Sequence, residues 1–212
     1  MIRSHTSRHL ALAAVLAGTL GSAAQAQTII DSWKSVPVPA APELLPVTVD
    51  SAHAALLVLD VNADACANRP TCVRSLPHIQ KLLADARARH MYVVYSTSSS
   101  APTAPVPASI ARAPGEPSVA SSADKFIGTD LEKSLTDRGV TTVIVVGTTA
   151  QGAVLYTASS AALHKFAVVV PVDGWSADGQ FAELVTAWLL KNAPVSVSAH
   201  VTLTSTDRIT LR

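Results

Sequence analysis

Clustered positive charge is missing from this chain of 212 residues. Lys and Arg number 16 against 15 Asp and Glu, and no helix-length stretch gathers the basic ones on one face. Without such a patch there is no electrostatic footprint for DNA, RNA or anionic lipid, so nucleic acid is not an expected partner. Long apolar runs are missing as well. The segment from Leu10 to Leu20 has only eleven residues, whereas crossing a bilayer takes about 20. With Arg3 and Arg8 before it and the small-x-small ending Ala24-Gln25-Ala26 after it, it reads as an export signal over residues 1–26. Its removal leaves 186 residues with 14 basic against 15 acidic side chains, enough for one domain with a sizeable core. A periplasmic or secreted location follows, with no membrane attachment after cleavage.

Cysteine is scarce too. Cys66 and Cys72 are the only two. A zinc site needs three or four ligands at recognisable spacings, and no Cys or His stands at such a spacing from this pair. In an oxidising compartment the two can bridge around Asn68-Arg69-Pro70; free buried thiols are the alternative. His53, His78, His90, His164 and His200 are scattered with no i, i+4 pair, which suits surface or satisfied core positions. Trp175 and Trp188 suit core or rim packing better than a stacking platform.

What is present is an alternation of apolar strands and amphipathic helices. Residues 27–51 are rich in Pro and lack helical periodicity, which predicts an extended N-terminal arm before a domain over 52–212. Ala54 to Leu59 is a continuous apolar run ending at Asp60, the pattern of a strand buried on both faces. Ser75 to Arg89 places Leu76, Ile79, Leu82, Leu83 and Ala86 on one helical face, and a strand over Tyr92 to Tyr95 follows. Residues 97–124, dense in Ser, Ala and Pro, read as a long flexible loop or a lid. Thr129 or Asp130 can cap a helix that Gly139 ends. A strand over Thr142 to Val146, a helix from about Ala150 to Leu163, a strand over Ala167 to Val170, a helix over Ala177 to Lys191 and a last strand over Val201 to Leu203 complete the series. Such alternation implies an α/β three-layer sandwich, helices covering both faces of a mostly parallel sheet of five or six strands. Ligands bind such sheets at the carboxyl ends of the strands, which points to Asp60 and to the turn Gly147 to Ala153.

Taken in order, "ALLVLDVN", "LPHIQKLLADARARHMYVVYST" and "FIGTDLEKSLTDRGVTTVIVVG" resemble the isochorismatase-like hydrolases, or cysteine hydrolases, over most of residues 52–191. The resemblance implies a Rossmann-like fold and places the family's catalytic Asp on Asp60. The family's active-site turn reads roughly Gly-x-x-Thr-x-x-Cys-Val-x-x-Thr-Ala. Laid on "GTTAQGAVLYTA" it aligns Gly147, Val154, Thr157 and Ala158, sets Ala150 in the place of the first Thr, and sets Ala153 in the place of the nucleophilic Cys. A methyl group forms no thioester, so the covalent amidase route is closed. The family's Lys stands six residues before the Phe matched by Phe126, a position held by Ala120. Lys125 is the only lysine nearby, and a shift in the loop would bring it to the cleft. Some nicotinamidases hold a metal through an Asp and two His after the second strand; residues 97–110 contain neither, so neither a metal nor another cofactor is expected.

Isochorismatase itself also lacks the Cys and cleaves a vinyl ether with the Asp acting on a proton, so Asp60 can serve as acid or base. A carboxyl group in an apolar cleft suits a general acid, whereas the plainer role for Asp60 is a cap or turn residue. Backbone N–H groups around Gly152 and Ala153, with Gly147, Thr148 and Thr149, are expected to bind a carboxylate or oxyanion at a helix N-terminus, although small residues there also suit close packing of helix on sheet. Two functions follow. One is an exported hydrolase of a small carboxylate, amide or vinyl-ether compound. The other is a non-catalytic binding or assembly protein on the same fold. In either case the expected partner is a small molecule, with a homo-oligomer possible.

Overall fold

The structure, a computed structural model, describes residues 28–212, which fall into two units divided after Val38. The export signal read over residues 1–26 lies outside the described residues. In the first unit a four-residue helix α1 (Ile29–Ser32) leads into a single 3-10 turn, Trp33–Ser35. The second unit, Pro39–Arg212, carries the sheet.

Its centre is β2 (Ala54–Leu59), whose six residues are all buried. Successive strand side chains point to opposite faces. Ala55, Leu57 and Leu59 therefore enter one core with Leu135, Val145 and Leu190, while Ala54, Leu56 and Val58 enter another with Ile79, Leu83 and Ile144. The continuous apolar run thus marks a strand covered on both sides. Parallel to β2 run β3 (Tyr92–Ser98) on one side and β5 (Thr142–Thr148) on the other. The sheet continues through β4 (Ser118–Ser121) at one edge and through β6 (Ala167–Pro171) and β8 (Val201–Thr204) at the other, with β7 (Trp175–Ser176) paired to the end of β5. The short α2 (Ala63–Ala67) and the long α3 (Pro70–Ala88) cover one face; α4 (Leu131–Thr136), α5 (Leu155–Leu163) and α6 (Gln180–Asn192) belong to the other. The three-layer α/β arrangement expected from the sequence is present, with seven strands in place of five or six.

Two other expectations need correction. The arm read over 27–51 does not simply run over the surface. Val47–Val49 forms β1 and pairs in parallel with β9 (Ile209–Leu211), Val49 is buried, and the Leu45 amide donates to Leu203 O at 2.9 Å. The long segment 97–124 is also not a free loop. It supplies edge strand β4, places Ile110 at 0 % exposure, and is tied to α3 by Arg87, whose Nε and Nη2 donate to Glu116 Oε1 and Oε2 at 2.8 and 2.9 Å. Arg87 Nη2 also reaches Ala111 O, and the Tyr95 hydroxyl donates to Ile110 O at 2.7 Å. Burial pushes the Tyr95 phenol up to about 12.

Burial alone would raise the Glu116 carboxyl, but the Arg87 guanidinium and the Ala113 amide outweigh it and hold the group below its ordinary value. A carboxylate with a depressed folded-state pKa adds stability above its unfolded value, and that stability is lost as pH falls through the folded one. Glu116→Gln is therefore expected to cost about 2 kcal/mol at neutral pH, by leaving Arg87 half-buried without its anion. Urea denaturation repeated below the ordinary glutamate value of 4.5 should show the gap between variant and wild type closing; a constant gap would contradict this origin.

Candidate active site

The site grows from strand register. Leu59 lies opposite Ser96 of β3 and Gly147 of β5, so the residue after Leu59 emerges between the ends of three strands. That residue is Asp60, with φ of 51°, a conformation that Asp tolerates better than most non-glycine residues. Its amide donates to Ser96 O at 3.2 Å and its carbonyl accepts from the Asn62 amide at 2.9 Å. The side chain is thereby turned out of the sheet plane toward a cleft of about 340 Å³, bordered by Asp60, Ala65, Arg69, Ser98, Ser122, Ala123, Thr148, Thr149, Gly152 and Ala153.

Lys125 meets Asp60 from beneath. Its Nζ lies 2.8 Å from Asp60 Oδ2, and its side chain is 0 % exposed. The same ammonium donates to Ser122 O at 2.6 Å and Ser121 O at 3.2 Å. With the carboxylate, these occupy its three donors. Ala120, where the resemblance would put the family's lysine, is an exposed residue of edge strand β4. The chain compensates by bending between the two positions. Ser121 Oγ bonds Asp124 O and Ile127 O, the Lys125 amide donates to Thr157 Oγ1 of α5 at 3.2 Å, and Thr129 Oγ1 donates to Lys125 O at 2.6 Å. Asp60 Oδ1 accepts from Ser96 Oγ at 2.7 Å. Its surroundings are thus polar, and the apolar cleft expected from the strand end is not what this carboxyl meets.

The turn after β5 differs from a plain helix start. The peptide Thr148–Thr149 is cis, residues Ala150–Val154 form one π turn, and Gly152 has φ −112° and ψ −110°. The Gly152 amide donates to Thr149 O at 2.9 Å. It is therefore spent within the turn and is not the ligand donor expected there. A Cβ on Gly152 would stand 2.6 Å from Thr149 Oγ1, which accounts for the glycine by packing. Ala153, 4 % exposed, borders the cleft. The structure thus brings Asp60, Lys125, Thr148, Thr149, Gly152 and Ala153 together, while Gly147 is covered by the backbone of Leu59.

Sequence reasoning passed over Arg69 and Ser96. Arg69 Nε lies 2.7 Å from Asp178 Oδ1, and Nη1 donates to Thr148 Oγ1 at 2.8 Å. Cys66 and Cys72 flank it and are joined in a disulfide with Cα atoms 5.2 Å apart. These are the only cysteines of the chain, so no free thiol exists in this state. Among the described residues no three His, Cys, Asp or Glu side chains gather as metal ligands, and no helix is long and apolar enough to cross a membrane. Trp175 is buried in the core and Trp188 is 39 % exposed at its rim.

Comparison with solved structures finds the same fold. An isochorismatase family protein from Desulfovibrio vulgaris is 22% identical with a TM-score of 0.65, over 73% of this chain and 95% of its own. One from Burkholderia thailandensis is 18% identical with a TM-score of 0.67, over 78% and 97%. The nicotinamidase of Staphylococcus aureus is 21% identical with a TM-score of 0.62, over 71% and 99%. No curated relative matches the chain. The family description "Isochorismatase domain" matches residues 54–183, which contain Asp60, Lys125 and Ala153, and the chain therefore belongs to the isochorismatase family of hydrolases.

Proposed function

We propose that this protein is an exported hydrolase in which Asp60 moves protons between water and a small carboxylate, amide or vinyl-ether substrate, without a covalent intermediate on the enzyme. The observation that carries the reading is the Asp60 carboxylate at the cleft, fixed by Lys125 at 2.8 Å and Ser96 at 2.7 Å. A carboxylate accepts about four hydrogen bonds, so lone pairs remain for a water or a substrate proton. Acting as base, Asp60 takes a proton from water as the water oxygen bonds to the substrate carbon. The C–N or C–O bond then breaks and the leaving group takes that proton, restoring the carboxylate. With a vinyl ether the order reverses: Asp60, having taken a proton from water, gives it to the terminal carbon, water adds to the resulting oxocarbenium ion and returns a proton to the Asp60 carboxylate, and the hemiketal collapses to a carbonyl compound and an alcohol. Lys125 is a positioning residue, since its donors are already used. Ala153 takes the place of the family's Cys, and because both cysteines are in the disulfide, no thiol elsewhere substitutes for it.

The expected result is hydrolysis in a screen of small enol ethers and amides with purified protein, reduced about a hundredfold or more in Asp60→Asn, with circular dichroism confirming that the variant is folded. Absence of turnover, with ligands that only raise Tm, would favour the other reading, a non-catalytic binding or assembly protein. The saturated Lys125 donors and the methyl group at position 153 are the observations on its side. Export is supported by the N-terminal signal pattern and agrees with the disulfide. N-terminal sequencing of protein from the periplasmic fraction should begin near Gln27.

The role given to position 153 has its own test. In Ala153→Cys the new thiol stands in the π turn just before α5, near the helix N-terminus whose dipole favours the thiolate. It should react with iodoacetamide faster than an exposed cysteine introduced elsewhere, at a rate that Asp60→Asn alters. An inert thiol would show the position to be one of packing alone.

A further inference from the structure

We propose that Arg69 is the carboxylate receptor of the cleft, and that the Cys66–Cys72 disulfide holds it in place, so that the substrate is an anion bound head-first to Arg69 with its reacting end toward Asp60. The proposal rests on the reading of Asp60 given above only for which end reacts. The binding claim stands separately.

The charge inventory leads to it. Among the described residues, Asp60 and Arg69 are the charged side chains that border the cleft. Lys125 faces it only through Asp60, with its three donors committed. Any substrate anion entering must therefore find Arg69. The guanidinium is already aimed, with Nη1 on the Thr148 hydroxyl at 2.8 Å and Nε on Asp178 at 2.7 Å. Among the described residues Nη2 makes no hydrogen bond, which leaves donors for the second oxygen of a carboxylate, the paired geometry that favours arginine over lysine. Asp178 is 74 % exposed while Arg69 is 23 % exposed. The partner that neutralises Arg69 is thus the one most easily displaced toward water.

The backbone beneath is held by hydrogen bonds on both sides and by the disulfide. Arg69 precedes Pro70, the first residue of α3, its amide donates to Cys66 O at 3.0 Å, and its carbonyl accepts from Val73 at 3.1 Å. The disulfide closes this seven-residue segment around it. Rigid placement lowers the ordering cost of binding. A volume of about 340 Å³ lies at the small end of small-molecule sites, so the ligand is a compact monocarboxylate.

Benzoate and its neutral isostere benzamide serve as probes, with binding read by calorimetry and by the shift in Tm. Benzoate should bind the wild-type protein and benzamide at least about tenfold more weakly, a difference of one charge-assisted pair. Arg69→Gln should weaken benzoate by about the same factor, and Asp178→Asn should tighten it by removing the competing carboxylate. Arg74→Gln, outside this cleft, should leave it unchanged. Reduction of the disulfide should weaken benzoate binding without abolishing it. Equal affinity for benzoate and benzamide, no benzoate binding at millimolar concentration, or unchanged binding in Arg69→Gln with an unchanged fold would each overturn the proposal. The Asp60→Asn variant separates the two readings: if it loses turnover but binds benzoate, both stand, and if wild-type protein binds benzoate through Arg69 yet turns over nothing, only the catalytic reading falls.

Discussion

Gly147→Ala is expected to lose about 4 kcal/mol or more of unfolding free energy, or to fail to fold, although it adds only one methyl group. Gly147 lies inside β5 with φ of +128°, a region that residues with a Cβ rarely enter. An added Cβ would overlap Leu59 O and stand 2.7 Å from Leu59 N. Both atoms belong to the central strand, which is hydrogen-bonded on both sides and cannot withdraw. Gly128→Ala is the matched control, since its φ is +68° but nothing lies within 4 Å of its would-be Cβ. It should cost about 1–2 kcal/mol, the ordinary penalty of the left-handed region. Similar losses in the two variants, measured by urea denaturation, would show that backbone conformation and not contact with Leu59 decides the matter. The expected contrast also explains how Asp60 is aimed. The strand end carrying it is pressed against a glycine, and a side chain there would push Asp60 away from Lys125.

That contact was only half legible in the sequence. The run Ala54–Leu59 announced a strand buried on both faces, because both covering layers demand apolar side chains there, and the apolar run Thr142 to Val146 did the same for β5. The register that sets Leu59 against Gly147 has no local signature, since it is fixed by which residues of two distant segments meet. Edge strand β4 was missed for a related reason. Ser118–Ser121 shows no apolar alternation, and it becomes a strand because β3 offers it an open edge. The pairing of Val47–Val49 with Ile209–Leu211 joins residues from the two ends of the domain, which no short-range pattern encodes. At the site, Asp60 was legible from the end of its strand. Lys125 was legible only as the nearest lysine, five residues past the position the resemblance gives. What brings it home is a bend held by Ser121, Thr129 and Thr157, three hydroxyls that read as ordinary polar residues. Arg69 carried no signal beyond its place between two cysteines.

Lys125→Met and Asp60→Asn should each cost about 3–5 kcal/mol, and the double variant should cost less than the two together by about 1–3 kcal/mol. The reason is the depth of the pair. Lys125 has no exposed surface and Asp60 little, with the two charged atoms 2.8 Å apart. Removing one leaves the other charge without its counterion in a medium that solvates it poorly. In Lys125→Met the Asp60 carboxylate keeps the Ser96 hydroxyl but no cation, and the Ser122 carbonyl loses its donor, while the Ser121 carbonyl still accepts from the Ser99 amide at 2.8 Å. In Asp60→Asn the ammonium keeps those carbonyls but no negative charge. In the double variant neither stranded charge exists, and methionine fills most of the lysine's volume. Additive losses would mean that the two side chains contribute separately and that the ion pair does not organise the site. The same cycle on turnover divides their roles. If Asp60 moves the proton and Lys125 only positions it, Asp60→Asn removes the reaction whichever residue stands at 125. Lys125→Met then lowers kcat and, with Asp60 turned from its bearing, alters the pH profile, while benzoate binding through Arg69 persists in both.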